Sequence, residues 1–392
     1  MKISQRIHKL AESATIAVSN KSAEMKAAGI DVISLGAGEP DFDTPAHIKE
    51  AAWRALQRGE TKYAKPASGT IELKQAIVEK FRSDNGLDYE LAQVLATVGA
   101  KEAIGLAFGC LLDPGDEVVL PAPYWVSYPE QIKLAGGVPV IIETDVRSGY
   151  KISPVQLQSA LTPGTRAFVL NSPSNPSGAA YDADEVAALA RVLETHSDIT
   201  VISDEIYDQF VYGGREHCSF AAASRHAYEH TLTVNGGSKT FSMTGWRIGF
   251  AGGPAELIRA MAKLQSQTTS GAATFSMHAL AVALTEQQTC VEDMKSEFQR
   301  RVRYLHQRLN DIHGFVCPEP EGAIFVFPDV SATYRRLDVS GSVEWATRLL
   351  GEAHVALVPG AAFGADKCVR FSFATSMSQL EEGLDRVARF VK

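Results

Sequence analysis

Lys239 and Arg247 lie in the stretch NGGSKTFSMTGWRIGFAGGP, Asn235 to Pro254, between apolar, strand-like runs. In the plainest reading both cations snorkel to water from the rim of a buried sheet. The chemical reading is sharper. A lysine desolvated at a sheet edge and close to a second cation sheds its proton and attacks carbonyl carbon. Other residues bear on the choice. Asp204 ends the apolar run ITVISD, and Tyr207 follows in SDEIY. Alone, Asp204 reads as a strand-end cap; opposite a ligand cation it is a fixed carboxylate. NSPSNPSG, 171–178, is turn chemistry, and a rigid turn there fixes Asn175 as a donor. In ATVGAKEAIGLAF, Gly99-Ala100 leads from a short strand into a helix N-terminus. Free N–H groups and the helix dipole favour an anion at such a place. The stretch lacks the GxxxxGK[ST] and GxGxxG patterns, so a single phosphate is expected rather than a nucleotide. Trp125, in PAPYWVSYPE, reads either as core packing or as a face on which a flat heterocycle stacks.

Taken together these residues suit pyridoxal 5′-phosphate. Lys239 supplies the amine for a Schiff base, and Asp204 keeps a pyridine nitrogen protonated. Tyr207 and Asn175 serve the ring oxygen, and Trp125 serves the ring face. Arg247 and the Gly99-Ala100 helix start serve the phosphate. A protonated pyridinium is an electron sink for the carbanion left when a Cα–H bond breaks.

The elements that must hold these residues can be read coarsely. Helices are expected over 45–59, opened by Thr44-Pro45 as a cap with proline at its first position and closed by Gly59. Others are expected over 72–86, ending in Gly86, and over 100–116, stopped by Pro114-Gly115. Strands are expected at 117–120, 138–143, 166–173, 199–205, 231–237 and 247–253. Strand–helix alternation with near-continuous apolar strands predicts an α/β domain on a mostly parallel sheet covered on both faces. Ligands of such sheets sit at the carboxyl ends of the strands, and NSPSNPSG, SDEIY and NGGSK each follow a strand. The C-terminal part has spaced strands and amphipathic helices, which suits a smaller α+β domain. We expect residues 1–45 to pack on that small domain or on a partner subunit, 46–285 to form the large domain and 286–392 the small one.

The 392 residues are 45% hydrophobic and 21% charged, with a net charge of −8, which suits a globular protein and disfavours nucleic acid as a partner. The five cysteines are dispersed without a CxxC pair, so neither a disulfide framework nor a metal site is expected, and a reducing cytoplasm fits best. No stretch is apolar for long enough to span a membrane.

The chain resembles the class I, fold-type I, pyridoxal-phosphate-dependent aminotransferases, in the bacterial aspartate aminotransferase subgroup of thermophiles and rhizobia. The resemblance runs from ESATIAV to VRFSFATS. It rests on GAGEPDFDTP, KYAKPASG, DPGDEVVLPAPYWVSYPE, NSPSNPSG, SDEIY and SKTFSMTGWRIGFAGGP, in the family's order and spacing. It implies a large domain built on a seven-stranded sheet sandwiched by helices, and a small α+β domain. Lys239 is then the covalent anchor and proton carrier. Asp204 pairs with the ring nitrogen, Tyr207 and Asn175 bind the ring oxygen, and Trp125 stacks on the ring. Arg247, Ser238 and the Gly99, Ala100 and Lys101 amides hold the phosphate. Tyr63 reaches the phosphate of the neighbouring subunit, which makes the active unit a homodimer. Arg370 binds the substrate α-carboxylate, and Gly38 leaves room for the substrate backbone. The animal-type subgroup reads a distal carboxylate with an arginine after residue 263, but 264–298 holds no arginine. The thermophile type uses a lysine and a threonine where Lys101 and Thr15 stand. Dual aspartate/prephenate enzymes carry a further lysine shortly before SAT, where this chain has Ala11 or, shifted by one, Glu12. The resemblance implies amino transfer from L-aspartate to 2-oxoglutarate. A broader or different donor range (aromatic amino acids, alanine, prephenate) or another pyridoxal reaction remains the alternative.

Overall fold

A computed structural model describes residues 1–392 except positions 9, 13, 287 and 288. The strands run β1 (Ile33–Ser34), β2 (Val94–Thr97), β3 (Glu117–Ala122), β4 (Val138–Glu143), β5 (Thr165–Asn171), β6 (Thr200–Asp204), β7 (Thr231–Gly236), β8 (Gly249–Gly252), β9 (Phe325–Val326), β10 (Val355–Ala356), β11 (Val358–Pro359) and β12 (Val369–Ser372). One seven-stranded sheet has the order β2-β8-β7-β6-β5-β3-β4. β8 is antiparallel to both of its neighbours, and every other pairing in that sheet is parallel. β6, which ends in Asp204, is the middle strand. Its residues and those of β7 are almost wholly buried, as strands covered on both faces must be.

The covering helices show why these sequences fold this way. In the helix Ala46–Gln57, Ile48, Ala52 and Ala55 are buried on one face, at helical spacing. That face packs against the helix Thr274–Thr285. On the helix Ala100–Leu111, Ala103, Ile104, Leu106, Ala107 and Phe108 are buried. Burying each Leu, Ile or Phe is worth about 1.5–3 kcal/mol. Glycine is required where β8 meets its cover: a Cβ on Gly252 would lie 2.6 Å from the Tyr89 ring.

Toward the C-terminus the helix Thr289–Asn310 leads to an antiparallel three-stranded sheet of order β11-β12-β9. β1 pairs in parallel with β10, which ties the chain before residue 45 to this C-terminal part. Among the described residues, no helix is long and apolar enough to cross a membrane.

Three local expectations are corrected. The helix expected to reach Pro114-Gly115 ends at Leu111, and Leu112 is extended. The position before a proline disfavours helical backbone, so the chain leaves the helix early. Thr44 does not cap the helix that follows. Pro45 holds the cap position without a side-chain bond. Thr44 Oγ1 instead donates to the Ser242 carbonyl (2.7 Å) and accepts from Trp246 Nε1 (3.0 Å), a tertiary role. The strand expected over 247–253 starts at Gly249, because Arg247 sits in the left-handed region at φ 53°.

Candidate active site

The parallel strands converge at their carboxyl ends on a cavity of about 260 Å³, lined in part by Asn171, Asp204, Ser238 and Lys239. Asp204 closes β6 and is 4% exposed. Its carboxylate accepts a hydrogen bond from the Tyr128 phenol (2.7 Å) and one from the Ile206 N–H (3.3 Å). Burial pushes its pKa up to about 6, against the pull of those two donors.

Lys239 lies in a single helical turn, Gly237–Thr240, directly after β7. Its amine donates to the Gly38 carbonyl and lies 5.9 Å from the centre of the Tyr207 ring. Burial lowers its pKa to about 8, helped by repulsion from Arg370 and Arg247 and opposed by Glu39 and Asp204. Tyr207 is buried, and burial raises the pKa of its phenol.

Arg370, on β12, is 1% exposed. Nη1 donates to Asn175 Oδ1 (2.9 Å) and Nη2 to the Gly36 carbonyl (2.8 Å). The guanidinium carbon lies over the Phe325 ring at 4.2 Å and over the Phe363 ring at 5.0 Å. Burial lowers its pKa to about 10, so it stays charged near neutrality. Nε is buried and finds no acceptor among the described residues. A buried cation with an open donor is a seat for an anion.

At the phosphate end expected from the sequence, Arg247 Nη1 donates to the Thr244 carbonyl (2.8 Å). Its guanidinium passes so close to Gly99 that a Cβ there would lie 2.6 Å from Nη2. Gly99, at φ 75°, precedes the helix that Ala100 opens. Ala100, Ser238 and Arg247 line the cavity. Lys101 stands 5.0 Å above the Trp125 ring, its pKa lowered by burial and by Arg247. Thr15, on the helix Ala14–Ala27, and Gly38 also line the cavity.

The structure thus brings together every residue singled out in the sequence except Tyr63. That side chain is 82% exposed and does not line the cavity. Two residues were missed. Tyr128 supports Asp204, and Asn171 donates to the Asp204 carbonyl (2.9 Å) while accepting from the Asn175 N–H (2.8 Å). Tyr128 lies in the first turn of the helix Ser127–Leu134, and its ring meets that of Trp125, which precedes the helix, edge-on at 5.3 Å.

Comparison with known proteins decides the family. The family model for aminotransferases of class I and II matches residues 30–387. The chain belongs to that family. Among its relatives, the aspartate aminotransferase of Geobacillus stearothermophilus is 47% identical, with 100% of this chain and 99% of that protein covered. The aspartate/prephenate aminotransferase of Cereibacter sphaeroides is 46% identical over 99% of this chain and 98% of its own length. Among solved structures, the Thermus thermophilus aspartate aminotransferase with maleate superimposes with a TM-score of 0.94 at 46% identity, each chain covered in full.

Class I aminotransferases use pyridoxal 5′-phosphate, and the cavity of this aminotransferase suits that group. The lowered pKa of Lys239 raises the fraction of free amine, which condensation with an aldehyde needs. The buried Asp204 carboxylate is strained toward protonation, and a pyridinium N–H would relieve that strain. Arg247 and the helix start at Ala100 offer charge and N–H donors to a phosphate.

Proposed function

We propose that this aminotransferase transfers the amino group of L-aspartate to 2-oxoglutarate, giving oxaloacetate and L-glutamate in a ping-pong cycle. The observation that carries this reading is the pair of cations on one cavity. Arg370 is buried with Nε open, and Lys101 stands over Trp125 on a cavity that Thr15 also lines. Two separated cations suit the two carboxylates of a dicarboxylic substrate. The relatives named for aspartate, and the Thermus structure with maleate, itself a dicarboxylate, support it.

When bound, pyridoxal phosphate supplies an electron sink for the pair released from the Cα–H bond. The protein's part follows from its own residues. Arg370 forks the α-carboxylate and orients Cα toward Lys239. Lys239 Nζ, whose lowered pKa favours the free amine, would be the base that accepts the proton from the substrate Cα. Asp204, held by Tyr128, would keep the ring nitrogen charged. Tyr207 and Asn175 would serve the ring oxygen. Arg247, Ser238 and the Gly99–Lys101 amides would hold the phosphate, and Trp125 would back the ring. Lys101 and Thr15 read the distal carboxylate. Gly38 presents only backbone where the substrate passes. Replacing Lys101 by alanine should raise KM for aspartate by about ten- to a hundredfold, the worth of a charged hydrogen bond, and leave phenylalanine turnover little changed. An equal effect on both donors would refute the assignment.

The exposure of Tyr63 supports a homodimer in which it serves the neighbour's phosphate. We also place domain limits at 46–285 and 286–392, with 1–45 packed on the small domain or on the partner; the β1–β10 pairing supports that division. The five free cysteines suit a reducing cytoplasm. The Cereibacter relative favours a second reading in which prephenate is also accepted.

A further inference from the structure

Next to the site, and outside its cavity lining, lies a buried polar lattice that the reaction does not use directly. Lys80, on the helix Ile71–Asn85, is 7% exposed and forms an ion pair with Asp208 Oδ2. Lys80 also donates to Asn85 Oδ1 (2.6 Å), and Asn85 Nδ2 donates to Glu205 Oε2 (2.8 Å). Glu205 is 1% exposed and further contacts His217, Ser203 and Ser219. Asp208 Oδ2 accepts a second bond from Asn235 Nδ2 (2.8 Å), and Asn235 Oδ1 accepts from the Gly236 N–H (2.7 Å).

The position of these residues in the chain is informative. Asp208 directly follows Tyr207. Asn235 stands near the end of β7, just before the turn that carries Ser238 and Lys239. The Asp208–Asn235 bond therefore joins the loop that follows Asp204 and presents Tyr207 to the turn that presents the amine. Stability alone explains this arrangement poorly. Buried ion pairs are often no better than apolar residues of the same size. Asp208 Oδ1 is also buried without a hydrogen-bond partner among the described residues, which is unfavourable.

We infer that the Asp208–Asn235 hydrogen bond, braced by Lys80, is a positioning bridge that sets Lys239 against Asp204 and Tyr207 for the capture of pyridoxal phosphate. This rests on the cofactor assignment above. The three residues are positioning residues; none lines the cavity.

The test compares pyridoxal phosphate affinity of the full-length apo chain, the pH midpoint of the bound cofactor's visible absorption, and thermal melting. Asn235→Ala removes the bond and no charge. It should fold, bind pyridoxal phosphate about tenfold more weakly, the worth of one hydrogen bond, and shift the midpoint. A second pair of variants reads the same bond from the other end. With Lys80→Met as background, Asp208→Asn keeps an amide oxygen for Asn235, and Asp208→Ala does not. The alanine double variant should bind the cofactor more weakly than the asparagine one, and this comparison stands if Asn235→Ala does not fold. Lowered melting with affinity and midpoint unchanged would overturn the bridge, as would equal affinities in the two double variants. A wild-type chain that binds the cofactor but does not transaminate aspartate would defeat the functional reading alone. A wild-type chain that binds no pyridoxal phosphate would overturn both.

Discussion

Lys239 and Asp204 are pushed toward neutrality by the same burial, one from above and one from below. The amine falls from 10.5 to about 8 and the carboxyl rises from 3.8 to about 6. The sign for the amine is definite. Below about pH 8 it is protonated and cannot attack a carbonyl; above, it is free. The rate at which the apo chain captures pyridoxal phosphate should therefore climb about tenfold per pH unit toward pH 8 and then level. An ordinary lysine would go on climbing to about 10.5. Stopped-flow absorbance across pH reads this, with Lys239→Ala as the silent control. The same shift has a stability consequence. Between about 8 and 10.5 the unfolded chain keeps a proton that the folded chain has released, so stability attributable to Lys239 rises with pH in that window. At this scale the sequence was informative because residue type carries the chemistry: an amine, a carboxylate, a phenol and a guanidinium group have few joint uses. Tyr128 and Asn171 escaped notice because their part depends on a partner. The Tyr128 phenol meets Asp204, 76 positions away, and no local pattern encodes that contact.

The elements act by delivering these groups to one edge. β5, β6 and β7 end together, and the loops after them carry Asn175, Tyr207 and Lys239. The Gly99 corner shows how tight the delivery is. Alanine at 99 would force a Cβ to within 2.6 Å of Arg247 Nη2 and strain a backbone at φ 75°. Gly99→Ala should leave the fold intact and weaken pyridoxal phosphate binding by about tenfold or more, since an anchoring charge is displaced. Equilibrium titration of the apo variant checks it. The order of strands and helices was legible here because apolar runs and turn residues punctuate the chain. Their ends were less so. Thr44 has the chemistry of a cap but is recruited by Ser242 and Trp246, and Arg247 leaves the strand pattern for a left-handed turn. Tertiary contacts overrode local preference at both places.

On the scale of the whole molecule, residues far apart in sequence make one cavity. Arg370 comes from the C-terminal sheet, bonds Gly36 near the N-terminus and Asn175 in the large sheet's loop, and so closes the site from the far side. Tyr63 lies outside that cavity, and the dimer proposed here gives it a place in the neighbour's site. Mixing inactive Lys239→Ala chains with inactive or impaired Tyr63→Phe chains tests this. A mixed dimer then holds one site with both lesions and one with neither, so activity should recover. No recovery after verified subunit exchange would place Tyr63 elsewhere. Neither the seat of Arg370 nor the fate of Tyr63 follows from periodicity; both were read from resemblance.

The most direct test adds L-aspartate alone to the cofactor-loaded enzyme, with no 2-oxoacid, and follows the visible spectrum and the products. The account predicts that the absorption of the lysine-bound cofactor is lost and that oxaloacetate stops at one equivalent per chain. Phenylalanine or alanine should do the same far more slowly, and 2-oxoglutarate should restore the band with release of glutamate. Continued product formation without an acceptor, release of ammonia, or an unchanged spectrum would contradict it.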